Sequence, residues 1–257
     1  MSLTTDVDNY LHRLANARGA SEHTLRAYGA DLTDLAEHLC SRGLEDPKGV
    51  KPLHLRTWLA ALDERELSSS TIQRKLSSAR SFFRWLLEEG RIELSPVAGL
   101  RQRRARRHPP GVLSLEEVEA LLASPDASTA IGSRDRALFE VMYSAGLRAA
   151  ETVGLDRADL DLKGGCLRVE GKGRKERLAL LGEPAQRALK DYLSDARRPK
   201  PKAAAAEAVF LNSQGGRLTT RSLGRRVEHH CTAAGLTRRA TPHTLRHSFA
   251  THLLDKG

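Results

Sequence analysis

The residue pattern predicts a mainly α-helical chain with one small antiparallel β-meander, an α+β protein built in two parts. Three observations carry this. Apolar residues recur at helical spacing through most of the 257 residues. One stretch, Leu160 to Leu181, instead reads as short strands around glycine turns. Between Ser95 and Gly111 the periodicity stops, and R-Q-R-R-A-R-R-H-P-P is too charged to pack and is stiffened by its two prolines. The expected organisation is a helical domain over 1–96, a basic linker over 97–111 and a second domain over 112–257.

In the first part, Val7, Tyr10, Leu11 and Leu14 mark a short helix closed by Gly19. Ser21 is placed to cap a second helix with a Leu25, Tyr28, Leu32, Leu35 and Leu39 seam. A third starts near Pro52 and carries Leu55, Trp58, Leu59 and Leu62, and a fourth follows Ser68 to Ser70 with Ile72, Leu76, Ala79, Phe83 and Leu86 inward. Four amphipathic helices on short loops make a small helical domain. Its Arg74, Lys75, Arg80 and Arg84 read either as a solvated face or as a DNA-facing one.

The second part opens on a capping box, Ser114 to Glu117, before Val118, Leu121 and Leu122. Ser133 begins a helix that places Leu138, Val141, Met142 and Ala145 inward and ends at Gly146. Arg148 follows at once, where the next helix starts. An arginine fixed between a helix stop and a helix start suits a pre-organised anion clamp. The meander comes next: Leu160–Leu162, Cys166–Glu170 and Glu176–Leu181, with Lys172 between two glycines at the second turn. Alone, G-K-G lacks P-loop spacing and reads as a turn. A helix over about Pro184–Ala196, a short strand at Val209–Asn212 and a helix over Ser222–Ala234 follow. In the last stretch Thr241 caps a helix, with Pro242 in its first turn and Ala250, Leu253 and Leu254 as its apolar face. His243 and Arg246 lie three apart near its N-terminus, where an anion is favoured.

Composition narrows the partner. Lys and Arg number 42 against 32 acids, a net charge of +10, which points to a polyanion. No apolar run is long enough to span a bilayer, so nucleic acid is preferred to membrane. Aromatics make up 4% of the chain, so phosphate contacts on a duplex are preferred to base stacking, and an RNA-binding module is disfavoured. Cys40, Cys166 and Cys231 share no ligand spacing and fit free thiols in a reducing cytoplasm. No cofactor and no metal are expected. His229 and His230 are adjacent and point apart, and the His243/His247 pair has Arg246 beside it to repel a cation.

Taken in order, Arg148 in G-L-R-A-A-E, Lys172 in G-K-G-R-K-E-R, and His243 with Arg246 in H-T-L-R-H-S-F-A-T-H-L-L closely resemble the tyrosine recombinases, and among them the Xer-type resolvases of chromosome and plasmid dimers. The resemblance covers nearly the whole chain. It implies a helical core-binding domain, a linker and most of a catalytic domain, closing on duplex DNA as a clamp and cutting one strand through a phosphotyrosine. By that resemblance Arg148 and Arg246 hold the scissile phosphate, Lys172 protonates the leaving 5′ oxygen and His243 assists proton transfer. Phosphoryl transfer needs fixed charge where the transition state develops it, and forked guanidinium donors match that geometry. Arg101, Arg103, Arg104, Arg106 and Arg107 are then placed to lie along a sugar-phosphate backbone. A paralogous subunit, in a tetramer on paired sites, is the implied protein partner.

The family pattern continues past H-L-L-D-K-G to a nucleophilic tyrosine. Tyr10, Tyr28, Tyr143 and Tyr192 all fall in helical stretches, and none is a credible substitute. Two expectations stand side by side: a recombinase whose last segment lies outside residues 1–257, which binds DNA without cutting it, or a naturally short DNA-binding protein that uses the same clamp.

Overall fold

A computed structural model describes residues 2–17, 20, 22–100, 111–171 and 176–256. The chain forms two compact units, Met1–Arg106 and Arg107–Gly257, and the described residues are mostly helical with one three-stranded sheet. Ser21, Gly19, Lys172 and the Arg101–Arg107 arginines lie outside the described residues.

In the first unit, α1 (Leu3–Ala17), α2 (Glu22–Cys40), α3 (Pro52–Glu64) and α4 (Ser69–Glu88) close around one core. The stripes read from the sequence supply it: Val7, Tyr10 and Leu14 from α1, Leu32, Leu35 and Leu39 from α2, Leu55, Trp58 and Leu62 from α3, and Ile72, Leu76, Ala79, Phe83 and Leu86 from α4. Phe82 and Trp85 are also buried, because Tyr10 packs edge-on against Phe82 and tilted against Trp85. The Ser68 hydroxyl accepts the Thr71 N–H and caps α4.

Of the four basic residues of α4, Arg74, Arg80 and Arg84 are exposed and Lys75 is buried, which corrects the reading of all four as one surface at Lys75 alone. Lys75 is 7% exposed, with its ammonium 3.1 Å from Asp34 and 3.6 Å from Asp31. An ammonium in such surroundings must be paired, so Lys75 neutralises the buried Asp31 and the partly buried Asp34 and has no charge to offer outside. Arg74 pairs with the buried Asp31, and Arg80 donates to the Leu100 carbonyl at 2.6 Å. Arg84 is exposed.

In the second unit, α5 (Leu115–Ala123) starts at the Ser114–Glu117 capping box and packs on α6 (Ala130–Ala145). α6 starts three residues earlier than Ser133 because the Thr129 hydroxyl accepts the Gly132 N–H. Strands β1 (Leu160–Asp161), β2 (Cys166–Glu170) and β3 (Glu176–Leu180) form an antiparallel meander in the order β1-β2-β3, with Glu170 opposite Glu176 at the end where residues 171–175 join β2 to β3. After α7 (Ala149–Gly154) and the meander come α8 (Glu183–Ser194), α9 (Thr220–Ala233) and α10 (Pro242–Lys256). Val209–Asn212 is not a strand: it makes one isolated bridge, Leu211 to Arg217, just after that of Ala208 to Asp156, and its apolar side chains are buried as a core loop.

Along α10 the apolar residues read from the sequence are not the buried ones. Ala250, Leu253 and Leu254 are exposed, while Leu245 and Ser248 are fully buried and Phe249 is half-buried. Ser248 succeeds inside because its hydroxyl donates to the Thr244 carbonyl and accepts the Leu113 N–H, both at 2.9 Å.

Candidate active site

The site is built where α6 stops. Gly146 sits in the left-handed region at φ 56°, its N–H returning to the Met142 carbonyl, and ends the helix. Leu147 is fully buried, which pins the turn, and Arg148 becomes the N-cap of α7 with its side chain 52% exposed. Three residues on, Glu151 turns back under it. The Glu151 carboxylate accepts the Arg148 backbone N–H at 2.8 Å and the Arg148 Nη1 at 2.7 Å. This is the reciprocal half of a capping box, with an acid at the third helical position holding the cap backbone.

α10 brings the second arginine. Arg246 Nη1 donates to the Gly146 carbonyl and stands 3.6 Å from Glu151 Oε2, and from β3 Arg177 Nη2 reaches the same oxygen at 3.1 Å. The helix is seated by its aromatic residues. Phe249 lies against Gly146 so closely that a Cβ there would overlap its ring, and it meets Tyr143 edge-on. One turn further, His252 Nδ1 and the Tyr143 hydroxyl are 2.9 Å apart.

Glu151 is therefore a nearly buried carboxylate under three guanidinium groups. Burial pushes its pKa up, but the hydrogen bonds from the Arg148 backbone and side chain, with the charges of Arg177 and Arg148, outweigh this and leave it below the ordinary carboxylate range. Arg246 is shifted down by its burial and by the neighbouring Arg148 and Arg177, with Glu151 opposing. Three cations against one anion leave a positive surplus beside exposed N–H donors, an arrangement able to hold a tetrahedral anion.

Of the sequence-predicted residues, Arg148 and Arg246 come together on Glu151. His243 is exposed in the first turn of α10, whose start is capped by the Thr241 hydroxyl accepting the Thr244 N–H at 3.2 Å. Lys172 belongs to the β2–β3 connection and lies outside the described residues. Glu151 and Arg177 were not singled out from the sequence. Glu151 was readable as an acid three residues after a cap; Arg177 had only the weaker signal of sharing Ala179's inward strand face. Among the described residues no group of three or more His, Cys, Asp or Glu side chains could hold a metal. His229 is exposed while His230 is buried against Asp135 and Ser124. No described helix is long and apolar enough to cross a membrane.

Comparison with known proteins agrees with this architecture. Residues 111–257 match the phage integrase family and residues 7–90 match the phage integrase N-terminal SAM-like domain. The chain is 39% identical over 261 aligned positions to a tyrosine recombinase XerC of Myxococcus xanthus, covering 100% of this chain and 86% of that one. It is 37% identical to a tyrosine recombinase XerD of Listeria monocytogenes, covering 98% and 85%. Among solved structures, the XerH site-specific recombinase bound to a palindromic difH substrate aligns at 26% identity and TM-score 0.73, covering 93% of this chain and 71% of that one. The Tn1549 transposon integrase in complex with circular intermediate DNA shares the fold at TM-score 0.79 and 19% identity, covering 100% and 88%. With both halves matched in order and relatives aligned end to end along it, the chain belongs to the phage integrase family, as a Xer-type tyrosine recombinase.

Proposed function

We propose that this chain carries the DNA-binding and phosphate-holding machinery of site-specific recombination by strand cleavage and rejoining. The observation that carries the reading is one largely shielded carboxylate, Glu151, with Arg148, Arg177 and Arg246 gathered on it. Arg148 and Arg246 take the non-bridging oxygens of the scissile phosphate. A tyrosine oxygen attacks phosphorus, the bond to the 5′ oxygen breaks, and Lys172 gives that oxygen its proton, with His243 assisting proton transfer. Fixed guanidinium charge supplies the electrostatic stabilisation without a metal. The Arg101, Arg103, Arg104, Arg106 and Arg107 run, with Arg84 and Arg74 of α4, extends the contact along the duplex. A paralogous subunit joins it in a tetramer on paired sites, in the cytoplasm where the chromosome lies.

The attacking tyrosine is not among those of residues 1–257. The Tyr10 hydroxyl donates to Ser81, that of Tyr143 is bonded to His252, and that of Tyr192 accepts the Leu211 N–H in the core; Tyr28 sits half-buried in α2 of the first unit. Residues 1–257 therefore bind duplex DNA without forming a covalent adduct. The same observation favours the second reading, a DNA-binding protein that uses the clamp without cutting. A salt titration tests the shared claim: with some 6 to 10 phosphate contacts, affinity falls by about 10³ to 10⁵ between ~50 and ~200 mM salt. A nearly flat titration would remove the duplex reading.

A further inference from the structure

Glu151 poses a problem for the site that holds it. A buried carboxylate 3.6 Å from Arg246 attracts the guanidinium that is needed for phosphate, and closing that gap would turn Arg246 inward. What prevents this is the accounting of acceptor sites. Each carboxylate oxygen offers about two. Oε1 accepts Arg148 Nη1, and Oε2 accepts the Arg148 N–H at 2.8 Å and Arg177 Nη2 at 3.1 Å. Oε2 is full, and Arg246 instead donates one of its two Nη1 hydrogens to the Gly146 carbonyl.

We propose that Arg177 is a positioning residue of the phosphate site: by filling Glu151 Oε2, the oxygen that Arg246 faces at 3.6 Å, it keeps Arg246 from bonding that oxygen and leaves its outer N–H donors free for phosphate. Its placement supports this. Arg177 lies in β3 on the same face as the buried Ala179, opposite Val169 of β2, so the sheet fixes where its side chain departs. Arg148 is bound to Glu151 by two bonds three residues away, and Arg177 brings a hydrogen bond to it from the sheet. The inference rests on the phosphate-clamp reading above.

Two variants separate the possibilities in the chain of residues 1–257. Arg177→Met keeps the aliphatic stem and removes the donor; Arg177→Lys keeps a charged donor. In the crystal structure of Arg177→Met, an Arg246 nitrogen is expected to close to about 2.7–2.9 Å from Glu151. In Arg177→Lys the separation stays near its present 3.6 Å. An Arg246 that does not move in Arg177→Met overturns the proposal. In solution, inorganic phosphate is titrated against the arginine side-chain resonances. Arg177→Met weakens binding on the order of tenfold, the loss of one charge-assisted bond. In a Glu151→Gln background the same change has no effect, because Arg177 acts through Glu151. A loss that persists in that background makes Arg177 a direct contact for the anion and also overturns the proposal. If Arg148→Ala and Arg246→Ala leave phosphate binding unchanged, the clamp reading fails, and the crystallographic comparison alone decides the role of Arg177.

Discussion

Replacing Gly146 by alanine probes the joint on which both arginines depend. Gly146 ends α6 at φ 56°, where an L-residue with a Cβ pays about 1 to 2 kcal/mol. The new methyl would overlap the Phe249 ring, and forcing that ring aside costs a further ~1 to 3 kcal/mol. The expected loss is roughly 2 to 5 kcal/mol, unusually large for a single methyl. The two tryptophans, Trp58 and Trp85, both lie in the first unit, so their fluorescence in urea is an internal reference while far-UV dichroism follows both units. Gly146→Ala should lower the dichroism midpoint of the second unit by about 1 to 2 M and leave the tryptophan transition in place. Adding Phe249→Ala removes the overlap, so the double variant should lose less than the sum of the two singles. A Gly146→Ala protein within about 0.5 kcal/mol of the parent would refute the packing argument.

Glu151 predicts a pH dependence of stability. Its pKa in the folded protein lies below the unfolded value of about 4.3, so its contribution is fully present above that value and is lost as pH falls through the lower folded one. Urea midpoints of the second unit between pH ~3 and ~7 should therefore fall less steeply in Glu151→Gln than in the parent, and an identical slope would contradict the pairing of that carboxylate with Arg148 and Arg177. Arg217 donates to the Val153, Gly154 and Leu155 carbonyls at 3.0, 3.0 and 3.2 Å, closing the C-terminus of α7, and it pairs with Asp156. Arg217→Ala should cost about 1 to 3 kcal/mol by denaturant titration, and no change would show those bonds to be idle. In a form of the chain that carries the nucleophilic tyrosine, Arg148→Ala or Arg246→Ala should lower strand cleavage by about 10² or more while duplex affinity, spread over many contacts, changes little. Normal cleavage by either variant would remove it from the clamp.

The helical elements were legible because local rules and burial agree in them. Ser68, Ser114 and Thr241 cap where a hydroxyl precedes an apolar stripe, and the first unit's seams are its core. Legibility failed where tertiary contacts override local pattern. Nothing local distinguishes Lys75, buried on Asp31 and Asp34, from the exposed Arg84 nine residues on, since the pairing partners come from α2. In α10 nothing local marks Ser248, polar by type, as an inward residue: it is drawn inside by the Leu113 N–H, while Leu253 and Leu254 are 61% and 80% exposed. In the site, the motif order pointed to Arg148 and Arg246, but their common partner Glu151 becomes evident only when α7, α10 and β3 are brought together.

The central claim is that Arg148 and Arg246 hold one phosphate of a duplex. A crystal structure of the chain with duplex DNA enriched from a random pool tests it directly. The account predicts one backbone phosphate whose non-bridging oxygens lie about 2.7–2.9 Å from both guanidinium groups, with Glu151 still beneath them. A duplex bound elsewhere, with Arg148 and Arg246 touching no phosphate, would contradict it.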